Sequence, residues 1–127
     1  PSAPSPAPSP DPVRPFGDRA PLVGSGGRFT FGWCTWYVST RRYVPWSGNA
    51  IDWSRNAAAL GFPEGRAARV GAIMVSRESG WGHVAYVQSV DSHGGGWTVS
   101  EMNYDGFGRV DTRHIAPGQV PLVGFIY

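Results

Sequence analysis

Cys34 is the only cysteine in the chain of 127 residues, so the sequence has no internal disulfide and no cysteine-rich zinc ribbon. It is either a buried structural thiol or a reactive one. The thiolate is the nucleophilic form, so a reactive Cys34 needs neighbours that favour the anion. A helix starting at Cys34 would set free backbone N–H groups and the positive end of its dipole at the sulfur. A histidine alongside would hold the proton. His83 opens the apolar run Gly82-His83-Val84-Ala85-Tyr86-Val87, and Glu101 stands in Val99-Ser100-Glu101-Met102-Asn103. Glu101 would accept a hydrogen bond from the second imidazole nitrogen and fix the ring, with Asn103 as the reserve candidate on the same strand face. The Cys34 N–H would then serve as an oxyanion donor.

Each residue taken singly also has a plain structural role: a packed thiol, a histidine at a turn, a solvent-facing acid. The competing chemistry is a metal site using Cys34, His83, Glu101 and either His93 or His114. It lacks a close-spaced ligand pair to start from. Calcium is disfavoured because residues 19 to 33 contain no Asp or Glu. The Gly24 to Gly27 cluster has no Lys and no preceding apolar strand, so no phosphate loop is read there. No metal and no cofactor are expected.

These side chains need elements to position them. The helix at Cys34 should run through Arg42 and stop before Pro45, with Arg41 and Arg42 at the negative end of its dipole. A second helix is predicted from Asn49 as cap and Asp52 as capping-box acid, through Ala50, Trp53, Ala57 and Leu60, to Gly61. Strands are predicted over 70–76, 83–90, 97–104 and 121–127. The link Asp91-Ser92-His93-Gly94-Gly95-Gly96 is short enough to make the second and third antiparallel neighbours. Alternation places His83, Ala85, Val87 and Ser89 on one face, and Trp97, Val99, Glu101 and Asn103 on one face of the neighbour. The small side chains after His83 predict that the Cys34 helix packs on that face. Helices first and strands later make the domain α+β.

Composition narrows the setting. Apolar residues make up 41% and charged residues 16%, enough to build a core. All 11 basic residues are Arg and they are scattered, so no nucleic-acid footprint is read. No apolar run reaches a membrane span, and no uncleaved secretion signal is seen. Residues 1–15, with seven of the twelve Pro, read as a semi-rigid linker, which implies an upstream domain and a globular unit over 16–127. The chain opens at Pro1 without Met, which also fits processing upstream. A monomer is expected.

Four blocks now resemble a known family. Gly32-Trp33-Cys34-Thr35-Trp36-Tyr37-Val38, Gly48-Asn49-Ala50-Ile51-Asp52-Trp53, Gly82-His83-Val84-Ala85-Tyr86-Val87 and Val99-Ser100-Glu101-Met102-Asn103-Tyr104 are similar, in that order, to the signature blocks of the CHAP domain (cysteine, histidine-dependent amidohydrolase/peptidase). The resemblance covers about residues 28 to 127. It implies a papain-like fold with N-terminal helices on an antiparallel β-sheet, in a bacterial or phage enzyme acting outside the cell or at the wall. That enzyme would cut amide bonds of peptidoglycan as an N-acetylmuramoyl-L-alanine amidase or an endopeptidase. By position, Cys34 would be the nucleophile, His83 the general base and acid, Glu101 the group orienting it and Asn103 a further polar member. Apart from the resemblance, Trp33, Trp36, Trp81 and Tyr104 lie next to these residues in the sequence and either line a substrate groove or, for some of them, pack in the core. The alternative is a wall-binding module that keeps the fold without catalysis.

Two departures stand out. Trp33 occupies a position often held by a polar residue, and Ser47 lengthens the block before Asn49 by one residue, an insertion the loop should absorb.

Overall fold

Helix α1 spans Cys34–Arg41 and ends where Arg42 turns extended at φ −156°. The computed structural model describes residues 29–127. The expected linker over 1–15, the domain boundary near 16 and the Gly24–Gly27 turn therefore lie outside the described residues. One face of α1 buries Cys34, Val38 and Ser39. Arg42 does more than meet a helix dipole: it is buried, and its Nη1 donates to the carbonyls of Gly71, Ile126 and Tyr127 at 3.0, 3.3 and 3.2 Å. The end of α1 is thereby tied to the last strand.

The second helical stretch starts as a 3-10 turn, Ala50–Asp52, and continues as helix α2, Trp53–Ala59. Asn49 occupies the cap position, but its side chain makes no capping bond. Asp52 closes no capping box either, since its carboxylate pairs with Arg55 at 3.1 Å. The tight 3-10 entry replaces the expected side-chain cap. Trp53 is fully buried, and its indole N–H donates to the Gly48 carbonyl at 3.0 Å, pinning the loop before the helix. Ser47 sits exposed in that loop, its carbonyl held by Asn56 Nδ2 at 2.8 Å, so the extra residue is absorbed as expected.

Six strands follow: β1 Glu64–Gly65, β2 Ile73–Ser76, β3 His83–Val90, β4 Trp97–Met102, β5 Val110–Ile115 and β6 Leu122–Ile126. They form one antiparallel sheet in the order β1-β6-β2-β3-β4-β5. β3 starts and ends as the sequence predicts. The 91–96 link makes it the neighbour of β4, with a short 3-10 turn at Ser92–Gly94. β2, β4 and β6 are shorter than expected. β1 and β5 are additions.

The core has two parts, one on each side of the sheet. Cys34, Val38, Trp46, Trp53, Ala57 and Phe62 pack with Ile73, Val75 and Val84. Ala85, Val87 and Val99 belong to the other cluster, with Met74, Trp97, Ile115 and Phe125. This corrects the expected docking: α1 lies on the Val84 side, not on the Ala85–Val87 side. Large side chains from β4, β5 and β6 already fill the space beside Ala85 and Val87. The alternation also breaks at a register shift between Val87 and Ser89, where Val87 faces Val99 but Ser89 faces Thr98.

Candidate active site

Since α1 and the Ala85 row occupy different sides of the sheet, Cys34 and His83 meet over the end of β3. Gly82 makes this possible. Its φ of +79° reverses the chain just before the strand, and a Cβ there would lie 2.5 Å from the Ile51 nitrogen. The Trp81 carbonyl accepts from that same Ile51 N–H at 2.9 Å. The turn carrying His83 is thus locked to the helical layer carrying Cys34, with no room for a side chain between them.

His83 Nε2 lies 2.8 Å from Glu101 Oε1, and the two side chains are 7% and 0% exposed. With Nε2 committed to the carboxylate, Nδ1 is the ring nitrogen free for sulfur. Burial pulls the imidazole toward its neutral form. Hydrogen bonding to Cys34 and Glu101 and attraction to both outweigh that cost, raising His83 from 6.5 to about 9. Glu101 also loses hydration on burial, yet bonds from His83, Arg113 and Asp111 hold its carboxyl below the usual range.

The helix start is equally well placed. Trp33 is extended (ψ 157°) at the cap position of α1 and makes no side-chain capping bond, and the first turn contains no acid. The opening N–H groups at Cys34 therefore keep no side-chain acceptor of their own, the condition for donating to a developing oxyanion. The uncharged first turn also leaves the positive end of the helix uncompensated.

A cleft of about 770 Å³ lies over these groups. Cys34, Thr35, His83 and Asn103 line it, and Trp33, Trp81 and Tyr104 form aromatic walls. Trp81 is 72% exposed. Trp33 packs edge-on against Phe107 with ring centres 5.1 Å apart, and Tyr104 lies 6.0 Å from the His83 ring. Trp36 does not join this lining. Two residues along a helix rotate a side chain by roughly 200°, and Trp36 packs edge-on against Phe31 at 4.8 Å instead. Asn103 follows β4 in the left-handed region (φ 67°), a conformation asparagine tolerates, and lines the cleft while Glu101 holds the imidazole.

Sequence reasoning missed the charged groups behind Glu101. Arg113 on β5 donates from Nε to Glu101 Oε2 and from Nη2 to Glu101 Oε1, each at 2.9 Å. Its far edge grips Glu78 at 2.7 and 3.1 Å, and Ser76 Oγ donates to Glu78 Oε1 at 2.6 Å. Asp111, register partner of Glu101, is pushed up to about 6, first by burial and then by Glu101. Alternation of inward positions along 110–115 was the available signal, had a strand been read there.

Among the described residues no group of three or more His, Cys, Asp or Glu is arranged to hold a metal ion. His93 lies in the β3–β4 turn, and His114 pairs with Asp91 at 2.7 Å near that same end of the strands. Both stand apart from the Cys34 cleft. Among the described residues no helix is long and apolar enough to cross a membrane.

The layers and the site together define an α+β protein of the papain-like kind, in which a helix presents a cysteine to a histidine and an acid of an antiparallel sheet. The CHAP domain model matches residues 24–103, and the chain belongs to that family. It is 41% identical over 103 residues to the staphylococcal secretory antigen SsaA of Staphylococcus aureus (strain NCTC 8325 / PS 47), covering 78% of this chain and 40% of that protein. Staphylococcal secretory antigen ssaA2 of the same strain is similar to the same extent, with 38% of its length covered. Among solved structures, an N-acetylmuramoyl-L-alanine amidase from Staphylococcus aureus superposes with a TM-score of 0.66 at 30% identity, over 76% of this chain and 30% of that one. The crystal structure of Ly7917 shares the fold, with a TM-score of 0.53 at 20% identity, covering 83% of this chain and 56% of that one. The chain thus spans about 40% of the length of the curated relatives it matches.

Proposed function

We propose that the chain is a peptidoglycan hydrolase that cuts an amide bond of the wall peptide, as an amidase or an endopeptidase, with Cys34 as nucleophile. The observation that carries this reading is the buried His83, raised to about 9 between a thiol and a carboxylate at the base of an open cleft. An imidazolium beside sulfur is the resting pair of a thiol hydrolase. The Cys34 thiolate attacks the peptide carbonyl, and the oxyanion is met by the Cys34 N–H at the start of α1. His83 gives its proton to the leaving amine as the tetrahedral intermediate collapses. It then takes a proton from the water that hydrolyses the thioester. Glu101 keeps the ring oriented through both transfers. Trp33, Trp81 and Tyr104 hold the extended substrate, and Asn103 adds a polar contact in the cleft.

The amidase-like solved structure and the secretory antigens among the relatives support a wall substrate reached after export. The test is turbidity clearing of purified peptidoglycan by the protein and by Cys34→Ala, with mass spectrometry of the soluble fragments. Loss of several orders of magnitude in rate is expected on removal of the sulfur. New alanine amino termini freed from muramic acid would mark an amidase, and other new termini an endopeptidase. Equal clearing by both proteins rejects the thiol mechanism. Binding without clearing by either favours a wall-binding module.

A further inference from the structure

Glu101 poses a problem that His83 alone does not solve. Its side chain is 0% exposed, and a carboxylate in that position is costly unless most of its lone pairs are engaged. The imidazole supplies one donor, to Oε1, which leaves Oε2 free and the carboxylate plane able to swing. Arg113 closes both gaps, since its Nε and Nη2 form a two-pronged bond to the two oxygens at 2.9 Å each.

The guanidinium is held in turn. Nη1 and Nη2 bind Glu78 on the opposite edge, Ser76 fixes Glu78, and the Arg113 carbon centre sits 3.7 Å above the Tyr104 ring. Four elements meet at this one side chain: β5 supplies it, β4 carries Glu101, the segment after β2 carries Glu78, and the segment after β4 carries Tyr104. Two carboxylates, Glu78 and Glu101, face two cations, Arg113 and the imidazolium of His83.

We propose that Arg113 is a positioning residue for the reaction, fixing the plane of Glu101 so that His83 is held toward Cys34. This rests on the thiol-hydrolase reading given above. Lysine cannot replace it, because an ammonium is a point donor without the planar fork that spans two oxygens and a second carboxylate. The groups facing the pair are Cys34 from α1, Glu78, Asp111 and Arg113 from the sheet side, and Tyr104 above. Removing the Arg113 cation makes a proton easier to add to every one of its neighbours.

Two variants and two readouts test this, with folding of each checked by circular dichroism. In Arg113→Lys, kcat on soluble glycan–peptide fragments should fall about tenfold to a hundredfold, the scale known for partners that orient the ligands of metal sites, with KM within about twofold. In Arg113→Gln, the acid limb of activity, and of Cys34 alkylation by iodoacetamide, should also move to higher pH, because a cation that opposes protonation is gone. Alkylation needs no wall substrate. A displaced limb in a protein that cleaves nothing would sink the hydrolase reading and keep the positioning role. Wild-type kcat in a folded Arg113→Lys overturns the proposal whatever the second variant does, and so does an unmoved alkylation limb in a folded Arg113→Gln. Should Arg113→Gln fail to fold, the lysine variant decides alone.

Discussion

Two histidine–carboxylate pairs occupy the same sheet with almost the same bond, His83–Glu101 at 2.8 Å and His114–Asp91 at 2.7 Å. At the hairpin end the side chains are 49% and 39% exposed, and at the cleft end 7% and 0%. Water screens the hairpin pair, so the bond between its partners adds little. The cleft pair has lost its water and must be compensated by sulfur, Arg113 and a fixed geometry. The comparison teaches that bond length does not make a site. Burial with a full set of partners does.

The sharpest way to break this contrast is to remove one charge at each end. Glu101→Gln keeps the shape of the side chain but leaves Arg113 and His83 without their shared anion. Activity on peptidoglycan should drop by up to about ten-thousandfold, the loss seen when the orienting acid of a catalytic triad is neutralised. Breaking a buried ion pair also costs about 3–5 kcal/mol, which should show as a large fall in Tm. Asp91→Asn should leave turbidity clearing unchanged and move stability by about 1 kcal/mol at most. Similar losses at both ends would erase the distinction.

A pH series sharpens it next. His83 is raised from 6.5 to about 9, so its contribution to stability is complete below 6.5 and disappears as pH climbs toward 9. Glu101 is lowered, so its share is present above its ordinary value of 4.5 and is lost as acid protonates it. Thermal unfolding should therefore be hardest between those limits. Tm should decline from pH 6.5 to 9, and His83→Gln should flatten that decline. An identical alkaline slope in the variant would show that the imidazole is not the group responsible.

Smaller effects belong to the cleft wall. Trp81→Ala removes an exposed ring of the cleft wall that makes no bond to the buried charges, so KM should rise several-fold on soluble wall fragments with kcat nearly unchanged. A fall in kcat instead would mean that the turn before His83 had moved.

The two ends also differ in how much the sequence reveals. The helix at Cys34, the strand from His83 to Val90 and the hairpin were legible because their apolar positions follow ordinary periods and Pro45 and the glycines mark their limits. β5 was not. Its inward positions are Asp111, Arg113 and Ile115, and its outward ones include Val110, so the usual apolar-in pattern is reversed over most of its length. The same residues that make the site chemically complete make its strand look like a loop. β1, with two residues, is below what any pattern can resolve. The helix docking side was misjudged for a different reason: small side chains at Ala85 and Val87 signalled room, but Trp97, Ile115 and Phe125 had taken it. Cys34, His83 and Glu101 still come together, because Gly82 turns His83 over the end of the sheet.

The most direct check on the central claim is a titration of the His83 ring by NMR, with Glu101→Gln alongside. The account expects a midpoint near 9 in the native protein and a clear fall in the variant. A native midpoint at or below 6.5, unmoved by Glu101→Gln, would mean that the imidazole is not held protonated between sulfur and carboxylate, and the proposed chemistry would lose its basis.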